Sequence, residues 1–311
     1  MLPKKTLGRT GLEVTTLGFG AMELRGKGTG RGPWRGPDLS EEEAGSVLNA
    51  VLDAGINFID TSPDYGISEK RIGQTIPHRR NEYFLASKCG CAVGAPPPEP
   101  GERPRHVFTA ENVRAGVEQS LRRMKTDHID IVQFHASPSR ADLEENGGLA
   151  ELVKLRDEGK VRFLGMSGTL PNIREQIEMG VFDEFQIPYS ALEREHEDVI
   201  ARAAAAGAGI VIRGGVARGA TTDWGRARRD VPARDRWEQA NLDEVLGGMS
   251  RHEFTLRFTL SLPDLHTTIV GTSRVDHLNE NLAALSKGSL PTDLIDEAKR
   301  RLDAAGSTPQ V

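Results

Sequence analysis

Cysteine is scarce in this sequence, a basic excess and long apolar runs are missing, and each shortage removes a class of function. Cys89 and Cys91 are the only cysteines among 311 residues. Their C-x-C spacing fits neither a zinc pattern nor a disulfide framework, so reduced thiols of a cytoplasmic protein are expected. No apolar run approaches the roughly 20 residues that span a bilayer, and the opening segment MLPKKTLGRTGLEV carries no apolar signal core. A soluble, cytoplasmic protein with no membrane partner is expected. The formal net charge of -5 lacks the basic excess of a nucleic-acid binder, so no DNA or RNA partner is expected. Linkers, composition breaks and low-complexity tracts are missing too. With 37% hydrophobic and 27% charged residues the chain can bury a large core, and one domain over residues 1–311 is expected.

What the sequence does contain is an alternation of short β-rich runs with longer helical patterns. Val14 to Phe19 reads as a strand and Ser40 to Ala54 as a helix, with Ser40 and Glu43 spaced as a capping box. The pattern continues through Asn57 to Asp60, Ser68 to Ile76, Phe84 to Ser87, Thr109 to Met124, Ile129 to Phe134 and Gly147 to Glu158. Val161 to Met166 then precedes a helix opened by Pro171, and Glu184 to Ile187 precedes Val199 to Ala206. Gly209 to Ile212 starts a unit whose helix is expected beyond Arg236, and Thr267 to Val270 with Arg274 to Leu285 completes an eighth. Eight strands each followed by a helix predict an α/β fold, a single closed (β/α)8 TIM barrel.

Three long connections, Met22 to Leu39, Cys89 to Phe108 and Gly214 to Arg236, follow strands and are expected at the barrel's C-terminal face, where such enzymes build their sites. The stretch GKGTGRG at Gly26 to Gly32 matches neither G-x-G-x-x-G nor G-x-x-x-x-G-K-[ST], so it reads as a loop over the mouth. Trp34 and Trp224 either line a substrate or pack their own loops down. The third connection carries Arg218, Arg226, Arg228, Arg229, Arg234 and Arg236, either as a solvated face or as a clamp on phosphate.

Asp60, Lys88 and His135 each stand at a strand end, and Tyr65 follows Asp60 in the same loop. A lone His or Asp at such a place is more often structural. The convergence of four useful side chains on one mouth is what points to chemistry. Reducing a carbonyl needs a hydride donor, a proton donor for the developing alkoxide and dipoles aimed at that oxygen. Tyr65 can give the proton if its pKa of roughly 10 is lowered, and Lys88 is the candidate ammonium that does so. Asp60 would keep Lys88 charged and oriented, and His135 would donate a hydrogen bond to the substrate oxygen. The reaction requires no metal.

The segments NFIDTSPDYGISEKRIG, FLASKCG, HIDIVQFHAS, FLGMSG, EFQIPYS and TTIVGTSRVDHLNENL, in that order, resemble the aldo-keto reductase family from near the N-terminus to about Leu285. The resemblance implies a (β/α)8 barrel, a small-molecule carbonyl or alcohol substrate, and a catalytic tetrad at Asp60, Tyr65, Lys88 and His135. It implies NADPH, less often NADH, as cofactor. By the same resemblance Ser167 and Gln186 grip the nicotinamide carboxamide. Gly271, Thr272, Ser273, Arg274, His277, Glu280 and Asn281 hold the adenosine end. Arg274 suits a free 2′-phosphate, which favours NADPH, with NAD possible.

Three positions depart from the family pattern. Gly168 stands where Asn is common, so a carboxamide contact is lost or replaced, with Thr169 as one substitute. Arg213 stands where an aromatic residue usually covers the nicotinamide, although a guanidinium plane can also cover the ring. His277 occupies a place where NADPH-preferring members often have Arg. Two other classes compete with the reductase: a Schiff-base lyase using Lys88, and a nucleotide-sensing regulatory subunit like the potassium-channel β subunits, which resemble the family. A lysine paired with Asp60 is held protonated and makes a poor nucleophile. Cys89, beside Lys88, reads as packing rather than redox chemistry.

Overall fold

The first two strands stand outside the barrel. In a computed structural model describing residues 1–26, 39–95, 102, 104–219 and 232–310, with the side chains of 232–234 left out, β1 (Lys4–Thr6) pairs antiparallel with β2 (Glu13–Thr15). The turn joining them presses on the backbone of Ala208 and Gly209: a Cβ on Gly8, whose φ is 49°, would meet Gly209 N at 2.3 Å. Only glycine fits there. Leu7, Leu12 and Val14 then pack on Phe58, Ala86, Ile131 and Val211, a small core that stops the barrel at its N-terminal end.

Eight parallel strands follow and close on themselves. They are β3 (Leu17–Gly20), β4 (Phe58–Asp60), β5 (Phe84–Cys89), β6 (Ile129–Phe134), β7 (Val161–Ser167), β8 (Glu184–Pro188), β9 (Gly209–Arg213) and β10 (Thr267–Val270), with β10 pairing β3 to seal the ring. The barrel expected from the alternation is therefore present. The run Val14 to Phe19 is divided rather than continuous. Val14 and Thr15 end the hairpin and Leu17 to Phe19 enter the barrel, with Thr16 N donating to Pro3 O at 3.0 Å at the corner. A β-rich run of this kind hides the corner because both sides of it favour extended backbone.

The helices are α1 (Glu41–Asp53), α2 (Ser68–Thr75), α3 (Ala110–Met124), α4 (Arg140–Glu145), α5 (Gly148–Asp157), α6 (Ile173–Glu178), α7 (Glu197–Ala205), α8 (Pro232–Gln239), α9 (Arg251–Leu260), α10 (Val275–Ser286) and α11 (Thr292–Ala304). The capping box on α1 is made as the spacing predicts: Glu43 N donates to Ser40 Oγ at 3.1 Å and Ser40 N to Glu43 Oε2 at 2.7 Å. Its buried face, Ala44, Val47, Leu48, Val51 and Leu52, repeats at helical spacing. Among the described residues α8 and α9 lie between β9 and β10; α9 lies beyond Arg236 as expected, and α8 begins before it. α4 and α11 have no counterpart in the sequence expectation. No helix among the described residues is long and apolar enough to cross a membrane.

Strand periodicity sorts the barrel interior into layers, because residues two apart share a face. Phe58, Ala86, Ile131 and Val211 form the apolar floor against the hairpin. Two residues further along the same strands stand Asp60, Lys88, Gln133 and Arg213. Polar chemistry thus begins one layer above the floor.

Candidate active site

Asp60 ends β4 and Lys88 lies on the neighbouring β5, so pairing of the strands brings their side chains together. Lys88 Nζ donates to Asp60 Oδ1 at 2.9 Å, to Asp60 Oδ2 at 2.7 Å and to Thr61 O at 2.9 Å. The ammonium has three protons, and all three are used. Gln186 Nε2 adds a bond to Asp60 Oδ2 at 2.9 Å, and Ser167 Oγ donates to Gln186 Oε1 at 3.2 Å. Burial works to lower Lys88, but the charge of Asp60 and the nearby phenol outweigh it and hold the ammonium above its ordinary value.

Below the pair sits a second acid. Glu184 is fully buried, accepts from Gln133 Nε2 at 3.3 Å, and is pushed well above the usual carboxylate range by burial and then by Asp60. Gly165 makes its room, since a Cβ there would lie 2.3 Å from Glu184 Oε2. Glu184 Oε2 and Gln133 Oε1 are both buried without a hydrogen-bond partner. A neutral, protonated Glu184 adds the donor that this pair of acceptors lacks.

Tyr65 is carried by the loop between β4 and α2. Tyr65 N donates to Ser62 O at 3.0 Å and Ser68 N to Tyr65 O at 2.9 Å. The loop is fastened where α2 begins: Ser68 Oγ donates to Ala21 O at 2.8 Å, and buried Glu69 accepts from Ser87 Oγ at 2.8 Å. Lys88 Nζ lies 5.3 Å from the Tyr65 ring centroid, and the His135 ring stands edge-on to it at 6.3 Å. Burial pushes the phenol up, against the opposing charge of Lys88. The sequence expectation of a lowered phenol is thus corrected: Lys88 acts in the expected sense, but desolvation is the larger effect.

Beyond Tyr65, His135 meets three groups that sequence reasoning passed over. Its Nδ1 lies 3.1 Å from Asp64 Oδ2, 3.3 Å from His106 Nε2 and 3.4 Å from Cys91 Sγ. His106 Nε2 is also 3.1 Å from Asp64 Oδ2. Burial pushes His135 down to about 4, against the pull of Asp64, so the ring is neutral. Burial alone would raise Asp64, yet the two imidazoles hold it well below the usual carboxylate range. Burial and Asp64 push the Cys91 thiol up. Both cysteines are buried and free of disulfide. The available signal was the presence of Asp, Cys and His in successive loops that follow strands.

The remaining expected positions divide. Arg213, at the end of β9, feels the charges of Tyr65 and Asp60, and its buried Nε has no hydrogen-bond partner. Gly271 to Asn281 form a separate patch where β10 runs into α10. There Thr272 Oγ1 accepts from Arg274 N at 3.0 Å, Arg274 and Asp276 pair at 3.2 Å on the surface, and His277 and Glu280 are exposed. Asn281 is buried, 2.7 Å from His252 Nε2. The space a side chain at Gly168 would need is held by Gln176, whose Oε1 would lie 2.7 Å from a Cβ there. Thr169 instead exchanges hydrogen bonds with Ser137 through its backbone, N to Oγ at 2.9 Å and Oγ to O at 3.1 Å. Arg218 pairs with Glu193 at 3.3 Å, and Arg236 Nη1 donates to Leu192 O at 2.6 Å. Trp34, Trp224, Arg226, Arg228 and Arg229, and the side chain of Arg234, lie outside the described residues.

The chain is similar to known proteins. The family model described as Aldo/keto reductase family matches residues 16–302. L-galactose dehydrogenase of Arabidopsis thaliana is 29% identical over 300 residues, covering 91% of this chain and 88% of that protein. An oxidoreductase of Bacillus subtilis named YqkF is 26% identical over 306 residues, covering 94% of each. Among solved structures, the holo form of the aldo-keto reductase AKR11C1 of Bacillus halodurans superposes with a TM-score of 0.81 at 28% identity, covering 97% of this chain and 96% of that one.

Proposed function

The chain belongs to the aldo/keto reductase family of oxidoreductases, which act on carbonyls, and from that membership we propose that it reduces an aldehyde or ketone to an alcohol, or runs the reverse, with hydride from a nicotinamide and a proton from Tyr65. The observation that carries the reading is the buried Asp60–Lys88 pair beside the Tyr65 ring. With its protons committed to Asp60 and Thr61, Lys88 stays an ammonium and stabilises the phenolate that remains once the proton has left. Burial keeps the phenol protonated until then, as a donor must be. Neutral His135 carries one ring proton, and with that proton on Nε2 it would donate to the carbonyl oxygen. Lys88 as a Schiff-base nucleophile loses support, because that chemistry needs a lowered pKa and this ammonium is held up.

A nicotinamide dinucleotide would supply the hydride. The residues present fit it on one observation of their own: the buried Arg213 Nε has no acceptor, so a planar cation stands at the site with bonding capacity unused. Arg213 would cover the ring, Ser167 and Gln186 would hold the carboxamide, and Gly271, Thr272, Ser273, His277, Glu280 and Asn281 would hold the adenosine end. Arg274, exposed beside α10, would meet a 2′-phosphate and favour NADPH over NADH.

The test is a panel of aldehydes and ketones, with alcohols and aldoses including L-galactose for the reverse direction, followed by NADPH and NADH absorbance. Turnover with NADPH is expected. Tight cofactor binding without turnover anywhere in the panel would replace the enzyme with a nucleotide-sensing subunit.

A further inference from the structure

Four side chains from three successive strand ends converge beside Tyr65: Asp64 after β4, Cys91 and His106 after β5, and His135 after β6. One donor atom of each, an oxygen, a sulfur and two nitrogens, lies within 4.8 Å of all the others. The separations around His135 Nδ1 are 3.1, 3.3 and 3.4 Å, and His106 Nε2 is 3.1 Å from Asp64 Oδ2. A tetrahedral ion with bonds of about 2.0 to 2.3 Å would need ligand separations of roughly 3.3 to 3.6 Å. Four of the six separations are close to those values, and the other two, from Cys91 Sγ to Asp64 and His106, lie within 4.8 Å.

Hydrogen bonding does not account for the cluster. His135 Nδ1 can hold one proton and so serve one of its three neighbours. Asp64 Oδ2 is buried with two imidazole nitrogens 3.1 Å away, which hold its carboxyl down, yet no well-aligned hydrogen bond reaches it. Four donor atoms gathered with more lone pairs than protons among them suit a cation in their midst.

The surrounding frame holds these donors in place. Cys91 and His106 face one another as an antiparallel bridge, flanked by Ala92 N to Arg105 O at 3.0 Å and Val107 N to Gly90 O at 2.7 Å. Asn112 of α3 ties the bridge down, donating to Cys91 O at 3.1 Å and Val107 O at 2.8 Å. The His106 ring is stacked on Phe108 at 6.3 Å. Partners of this kind fix ligand orientation in metal sites.

We propose that Asp64, Cys91, His106 and His135 bind a divalent ion of the zinc class with four protein ligands. A thiolate, two imidazoles and a carboxylate match the softness and tetrahedral preference of zinc. On binding, the Cys91 S–H bond is exchanged for a sulfur–metal bond and the proton passes to solvent. Four protein ligands leave no open coordination position, so the ion shapes the site and does not attack substrate. Ligation through Nδ1 leaves the remaining His135 proton on Nε2, and this one consequence rests on the reductase reading, in which Nε2 faces the carbonyl oxygen.

The experiment strips the full-length protein with a chelator and titrates it with Co2+, then Zn2+. One ion per chain is expected, with a thiolate-to-cobalt charge-transfer band, intense tetrahedral d–d bands, and displacement of Co2+ by Zn2+. Cys91→Ser should lose the charge-transfer band, and His106→Ala should weaken binding by more than the roughly 10- to 100-fold that loss of an outer partner costs. Circular dichroism checks that both variants fold, and if either does not, the wild-type band decides. A wild-type protein without that band, or binding that both substitutions leave unchanged as an adventitious ion would, overturns the proposal. Stoichiometry and spectra are read without turnover, so they stand apart from the carbonyl panel.

Discussion

Asp60 with Lys88, fully buried, and Asp64 with His135, half-buried, are two polar groupings on the same mouth, and they differ in how their hydrogen bonds close. In the inner one every ammonium proton has an acceptor, and Asp60 takes further support from Gln186. In the outer one a carboxylate oxygen, two imidazoles and a thiol crowd together while Asp64 Oδ2 is left without a donor. A buried cluster that satisfies itself is finished as folded. One that does not is shaped around something else. The difference separates a pair that works by its charge from a set that works by its lone pairs.

The largest expected effect falls beside the inner pair. Tyr65→Phe should lower kcat for carbonyl reduction by about 10²- to 10⁴-fold while cofactor affinity changes little, because only the proton is removed. Near wild-type kcat, with chemistry shown to be rate-limiting, would take the phenol out of the reaction. Lys88→Met comes next. It leaves Asp60 buried with Gln186 as its one remaining side-chain donor, and should cost about 3 to 5 kcal/mol in urea unfolding. A loss below about 1 kcal/mol would mean the pair is not the closed unit its geometry describes.

Glu184→Gln sharpens the comparison through pH. A carboxyl whose folded pKa is raised stabilises the fold below its unfolded value near 4.5, and that contribution is lost as pH rises through the folded pKa. Glutamine carries no such proton. The variant should therefore gain stability relative to wild type as pH is raised from about 5 to about 9, and parallel urea midpoints across that range would show Glu184 to be ordinary. The smallest effect is expected in the outer set. In metal-free protein Cys91→Ser exchanges one neutral hydrogen-bonding group for another and should cost no more than about 1 kcal/mol. A cost as large as that of Lys88→Met would erase the distinction between the two groupings.

The inner grouping was legible in the sequence because each member sits at a strand end in a period-2 register, so spacing alone carries it to the mouth. Asp60 and Lys88 meet as that reasoning requires, and Gln186 and Ser167, expected from the family resemblance alone, stand beside them. The roles of Tyr65 and His135 came from the chemistry of carbonyl reduction and from the family resemblance, and desolvation of the phenol needed the third dimension. The outer grouping was not legible. Cys91 and His106 are brought together by a bridge inside a segment that reads as plain connection, and a C-x-C search for zinc looks for ligands that are neighbours in sequence. Among the strands, the corner at Thr16 was invisible because its flanking residues are equally extended. That Gln176 fills the space beside Gly168 was invisible because a missing side chain does not say which neighbour moves into its volume.

The hairpin of Leu7, Leu12 and Val14 makes the barrel a cul-de-sac. With apolar side chains sealing the lower end, a proton exchanging at Lys88 or Tyr65 and a molecule arriving or leaving share one doorway, on the side where Asp64, Cys91, His106 and His135 stand.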